Sequence, residues 1–250
     1  MVKIPIALQL FSVRDDCTKD FPGTLEKVAE MGYDGVEFAG YYDLQAETIR
    51  NLLDDLNLGV AGCHTGLDSL LDDQLQKTVE FNQIIGNHFL IVPGLAEKYT
   101  NSIAAWKNTA SRFNEIANKL AEFDMYIGYH NHTREFKPVE KQVPWEVFFD
   151  HLSPQVIMQL DTGNALHGGC DGIQYIEKYP GRARTVHLKE YSESYDTALI
   201  GEGVVDWKRL FRLCESVGKT EWYIVEQENY SMPPMDCVRK CLENLRAMGK

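Results

Sequence analysis

Four residues able to hold a divalent cation stand at the ends of successive apolar runs: His130, Asp161, His187 and Glu226. Neutral imidazole nitrogens and carboxylate oxygens together suit Mn, Fe, Co or Zn, and a carboxylate-rich set also admits Mg. Open positions on such an ion would take the vicinal oxygens of a small carbohydrate. Glu135, Lys189 and His132 lie close by in sequence and are candidate acid–base or oxyanion groups. Gln9, Arg14, Glu37 and His64 follow or end earlier apolar runs and would line a sugar pocket.

Each residue also has a plainer explanation. Asp161 precedes Thr-Gly-Asn and suits a helix N-cap. His187 suits a hydrogen-bonded core histidine, His130 and His132 suit packing, and Lys189 suits a solvated surface. Glu226 after Tyr-Ile-Val is harder to explain this way, because an ionised carboxylate beside a core needs a partner. Four such residues on four consecutive runs weaken the plain explanations jointly.

The elements that must bring these residues together are legible as alternation. Short apolar runs cover 5–10, 35–38, 59–64, 88–92, 125–130, 156–160, 183–188 and 222–226, as strands buried on both faces should. Amphipathic stretches at 24–31, 44–56, 74–85, 103–123, 145–152, 173–179, 207–217 and 235–248 predict helices, several stopped by Gly32, Gly59, Gly86, Gly218 and Gly249. Alternation implies parallel strands with right-handed crossovers. Eight units in 250 residues favour closure into an α/β (β/α)8 barrel, spanning 1–250 as one domain. Reactive groups in that architecture sit at the C-terminal strand ends, where the candidates fall.

Bulk properties exclude some functions. The net charge is -12 and the pI is near 5.0. Nucleic-acid binding normally shows a basic footprint, and no Lys/Arg-rich run occurs. No stretch of 18 apolar residues predicts a membrane span, and the first residues lack the apolar core of a signal peptide. The six cysteines form no C-x-x-C pair and read as reduced thiols of a cytoplasmic protein. No Gly-rich phosphate loop stands out, so a phosphorylated substrate is not favoured over a neutral one. A homo-oligomer is left open.

Several fragments together carry a family resemblance: Leu10-Phe11-Ser12-Val13-Arg14, Gly32-Tyr33-Asp34-Gly35-Val36-Glu37, Tyr129-His130-Asn131-His132 with Glu135-Phe136, Leu160-Asp161-Thr162-Gly163-Asn164, Tyr179-Pro180-Gly181-Arg182, Val186-His187-Leu188-Lys189, and Gly201-Glu202-Gly203 with Asp206-Trp207. In order and placement they resemble the xylose-isomerase-like TIM-barrel superfamily of sugar phosphate isomerases and epimerases, over nearly the full length. The resemblance implies one divalent metal ion (Mn, Co, Zn, Fe or Mg) held by Glu, Asp, His and Glu on the fifth to eighth strands. Asp161, His187 and Glu226 fill the last three places. The first departs: His130 stands there, or Tyr129 if the alignment slips by one, with Glu135 able to reach back. Family epimerases use two metal-bound glutamates on opposite faces of the substrate and pass through an enediolate.

The first expectation is therefore a metal-dependent isomerase or epimerase of a ketose or related small carbohydrate. Because His130 breaks the two-glutamate pattern, the alternative is a lyase or dehydratase of a keto-sugar, keto-glycoside or inosose. An endonuclease on the same fold would need a basic face, which the acidity argues against. A non-enzymatic carbohydrate-binding barrel would bind sugar without turnover.

Overall fold

A computed structural model describes residues 3–250; Met1 and Val2 lie outside the described residues. Eight strands form the centre: β1 (Ile6–Gln9), β2 (Gly35–Phe38), β3 (Gly59–His64), β4 (Phe89–Val92), β5 (Tyr126–His130), β6 (Ile157–Asp161), β7 (Thr185–Leu188) and β8 (Trp222–Val225). Every neighbouring pair is parallel, and β8 pairs with β1, so the sheet closes into a barrel in sequence order. The expected (β/α)8 architecture is the one observed.

Among the described residues ten α-helices surround it: α1 (Arg14–Lys19), α2 (Phe21–Met31), α3 (Ala46–Leu56), α4 (Asp72–Ile85), α5 (Ile103–Leu120), α6 (Pro144–His151), α7 (Thr162–His167), α8 (Gln174–Lys178), α9 (Trp207–Leu213) and α10 (Pro234–Ala247). The sequence pattern did not predict α1 and α7. Both are six residues long, too short for an amphipathic period to show. Local chemistry sets the ends. The Asp20 carboxylate accepts from Gly23 N at 3.0 Å and caps α2, and Ser102 caps α5. Helix α3 stops at Asn57, in the left-handed region at φ 51°, rather than at Gly59.

Strand alternation divides the apolar residues into two populations. One large cluster fills the space between barrel and helices and includes Leu8, Val36, Leu90, Tyr129, Leu160 and Val225. Inside the barrel lie Ala7, Ala61 and Ile224, and separately Phe89, Ile91 and Ile157. Above these, toward the C-terminal strand ends, the interior becomes polar: Gln9, Glu37, Gln159, Asp161, Thr185 and His187 are all 0% exposed. Polar groups buried this deeply must be paired or hold something.

The segment between β7 and α9 is pinned from beneath by Glu190. Its carboxylate accepts from the backbone N–H of Tyr191 (2.9 Å), Gly201 (2.8 Å) and Val205 (3.2 Å) and from the Trp207 indole (2.9 Å). Gly203 belongs to this arrangement, since a Cβ there would stand 2.0 Å from the Tyr191 carbonyl oxygen. No helix of the described residues is long and apolar enough to cross a membrane. All six cysteines carry free thiols.

Candidate metal centre

Residues 130, 161, 187 and 226 reach one point from four adjacent strand ends. One donor atom each from His130, Asp161, His187 and Glu226 lies within 4.8 Å of the other three. His187 Nδ1 is 2.6 Å from Glu226 Oε2 and 4.0 Å from Asp161 Oδ2, and His130 Nε2 is 3.9 Å from Glu226 Oε2. Two imidazoles and two carboxylates from separate strands make a donor set suited to a divalent transition ion.

Asp161 supplies the sharpest test of fit. Its Oδ1 accepts from Asn164 N at 2.6 Å and caps α7. Its Oδ2 is buried with no hydrogen-bond partner. The N-cap explanation and the ligand explanation therefore apply to different oxygens of one carboxylate. A buried carboxylate oxygen left bare is costly, and a cation between Asp161, His187 and Glu226 would satisfy it. Asn131 fixes the backbone here: its side chain donates to the Asp161 carbonyl at 3.1 Å and accepts from Asp161 N at 2.9 Å.

Burial and neighbouring charges set the electrostatics of the cluster. Burial pushes the Asp161 carboxyl up to about 7, against the pull of Lys189. Burial alone would lower His187, but Glu37 and Glu226 on its two sides outweigh it and raise the imidazole to about 10. Burial and the neighbouring His187 hold His130 well below its ordinary range, so it is neutral. A proton on His187 thus sits where an ion would bind. An ion held here would compete with that proton, so its affinity is expected to rise with pH.

A cavity of about 290 Å³ opens over this cluster, lined by Phe11, Ala39, His64, Pro93, His130, His132, Glu226 and Glu228. A larger groove of about 760 Å³ lies outside the barrel around Trp207, Phe211 and Met248. It gathers no comparable donor set, and chemistry rather than volume locates the site. Lys189 Nζ donates to Asn164 Oδ1 at 3.2 Å and pairs with Glu228. It stays an ammonium because Asp161 and Glu226 outweigh its burial.

The other expected residues are distributed unevenly. His64 and His132 line the cavity. Gln9 and Glu37 do not: both are fully buried below it, with Gln9 Nε2 donating to Glu37 Oε2 at 2.6 Å. Arg14 is at the rim, donating to the Phe11 carbonyl (3.0 Å) and the Tyr230 hydroxyl (2.7 Å), with its guanidinium 4.4 Å from the Phe11 ring. Glu135 is turned away from the cluster. It accepts from the Tyr129 hydroxyl (2.7 Å), His132 N (2.9 Å) and Arg134 Nε (2.9 Å), which hold it among groups outside the cluster. Tyr129 faces the helices, 5.2 Å from the Phe148 ring, so the one-residue slip would place an aromatic in the outer layer. His130 is the group from β5 that faces the site.

Sequence reasoning passed over Gln159, Glu228, Phe11 and Pro93 as site residues. Gln159 and Glu228 each had a signal, since they stand two residues from Asp161 and Glu226. Period-two alternation turns Gln159 to the same face of β6 as Asp161. Phe11 and Pro93 carry no polar atom in their side chains and gave no such signal.

Comparison with known proteins is consistent with this architecture. Residues 25–248 match the family described as xylose isomerase-like TIM barrel. The chain belongs to that family. Among curated relatives, the inosose dehydratase of Geobacillus kaustophilus is 22% identical over 246 residues, covering 82% of this chain and 79% of that protein. A sugar phosphate isomerase/epimerase from Parabacteroides distasonis superposes with a TM-score of 0.83 at 21% identity, over 98% of each chain. An L-ribulose 3-epimerase superposes with a TM-score of 0.72 at 15% identity, over 98% of this chain and 94% of the other. At these identities the superpositions show the fold.

Proposed function

We propose that this protein is a divalent-metal-dependent lyase or dehydratase that removes a proton beside the carbonyl of a small keto-sugar, such as an inosose or a keto-glycoside, and expels a β-substituent. The observation that carries this reading is the β5 strand end. Where two-sided epimerisation calls for a second metal-bound carboxylate, this chain has the neutral His130, and Glu135 is tied to Tyr129 and Arg134. The name of the inosose dehydratase relatives supports the same choice.

His130, Asp161, His187 and Glu226 would hold the ion. When bound, it supplies Lewis-acid stabilisation of the enediolate that forms as the proton leaves. In this reading His132 is the base. It lines the cavity, and among the described residues its imidazole makes no hydrogen bond. Elimination needs only one such group. His132 takes the proton from carbon, the β carbon–oxygen bond breaks, and the same proton returns to the departing oxygen. Epimerisation needs a second donor on the opposite face. Lys189 offsets the charge of Asp161 and Glu226, and its contact with Glu228 places a cation behind the cavity wall. Phe11, Ala39 and Pro93 offer an apolar wall to ring C–H groups.

The test is Mn- or Co-loaded protein incubated in deuterium oxide with an inosose and with a 3-keto-glucoside, followed by proton NMR and ultraviolet absorbance. An enone product, or a released aglycone, is expected. The His132→Ala variant should keep its metal and lose this reaction by about 100-fold or more. Deuterium incorporation with an epimeric product and no elimination would establish the isomerase/epimerase reading instead. Absence of both exchange and elimination with these substrates would contradict the proposal.

A further inference from the structure

Glu37 lies beneath the candidate ligands, fully buried, and gathers hydrogen bonds from three strands and a close contact from a fourth. Its Oε2 accepts from Gln9 Nε2 at 2.6 Å and from His187 Nε2 at 2.5 Å, with His64 Nε2 at 3.3 Å. Its Oε1 accepts from Gln159 Nε2 at 2.7 Å. Room for that carboxylate comes from Gly62 on the paired strand, where a Cβ would stand 2.7 Å from Glu37 Oε1.

An ionised carboxylate can only accept hydrogen bonds, and this fixes the direction of every bond around it. The nitrogen His187 turns to Glu37 must carry the hydrogen. That leaves the Nδ1 lone pair, which faces Asp161 and Glu226, free for a cation once its own proton is displaced. The Gln159 amide nitrogen must likewise face Glu37, where it also reaches Thr185 Oγ1 at 3.0 Å. Its carbonyl oxygen is then the atom 3.2 Å from His130 Nδ1 and 3.1 Å from His64 Nε2. An amide oxygen only accepts, so His130 must be protonated at Nδ1, with its Nε2 lone pair turned to the Glu226 side.

We infer that Glu37 is the positioning residue of the metal centre: by one direct and one Gln159-relayed hydrogen bond, it sets the tautomers of both imidazole ligands so that their lone pairs converge on the ion. Carboxylate partners of metal-bound histidines orient a single ring in this way. Here one carboxylate governs two ligands on β5 and β7 while itself sitting on β2. The role differs from sugar contact, because Glu37 is fully buried and does not line the cavity. This inference rests on the metal reading of the site.

Two measurements test it. The first is zinc affinity, by competition with a chromophoric chelator, for wild type, Glu37→Gln and Gln159→Leu. Glutamine at 37 presents an N–H pair to donors that need acceptors, and roughly 10- to 100-fold weaker zinc binding is expected. Gln159→Leu leaves His187 oriented and releases only His130, so its loss should be smaller. The second uses zinc-loaded wild type and so does not depend on any variant folding: nitrogen-15 imidazole correlations should show His187 protonated at Nε2 and His130 at Nδ1. Glu37→Gln binding zinc within about twofold of wild type, or either ring protonated at the opposite nitrogen, would overturn the inference while leaving the metal site standing. Wild type that takes up no zinc, manganese or cobalt would remove the metal reading, and this inference with it.

Discussion

The two halves of the barrel mouth do different work. Strands β5 to β8 supply all four members of the donor cluster. Strands β1 to β4 supply none of them. They contribute Gln9 and Glu37, which orient imidazoles from below, His64 at the junction, and a wall of Phe11, Ala39 and Pro93. A closed barrel explains why one half can serve the other. Every strand end faces the same axis, so Glu37 on β2 touches His187 on β7 although 150 residues separate them. The donor cluster thus comes from one sequence half and the carboxylate beneath it from the other, with Gln159 of β6 linking the two within one layer of side chains.

The division can be broken first in the binding half. Asp161→Ala and Glu226→Ala each remove one carboxylate donor from the cluster, while His187 keeps Glu37 and Lys189 keeps Glu228. Both variants are expected to lose stoichiometric metal, read by elemental analysis after gel filtration. Retention of one ion per chain in both would show that the donor cluster lies elsewhere. The opposite half should respond differently. Phe11→Ala removes a half-exposed ring from the rim and should leave metal content unchanged. It should raise KM roughly fivefold, the equivalent of about 1 kcal/mol of aromatic contact. A loss of metal in this variant would erase the distinction between the halves.

Much of this layout was legible in the sequence because the strands are buried on both faces and read as short apolar runs. All eight are found within two residues of their expected bounds. The residues that end those runs were visible as well, since a charged group beside an apolar core is conspicuous. The direction each side chain takes after a strand ends was not legible. Glu135 reads as a site carboxylate until Tyr129, Arg134 and the His132 N–H are seen to surround it. Glu37 reads as a pocket residue because period-two alternation gives its face but not its depth along the barrel. Depth is set by the strand stagger, here including a register shift between Val36 and Glu37 against β3. The dual use of Asp161, one oxygen for the helix and one for the site, lies within a single side chain and has no sequence signature.

The central claim is that four side chains from β5 to β8 surround one divalent ion. Anomalous diffraction from a crystal of the protein loaded with manganese or cobalt tests it most directly. The account predicts one strong peak per chain within bonding distance of His130 Nε2, Asp161 Oδ2, His187 Nδ1 and Glu226 Oε2. A peak bound elsewhere, or these four groups remaining in mutual contact with no ion between them at saturating metal, would contradict it.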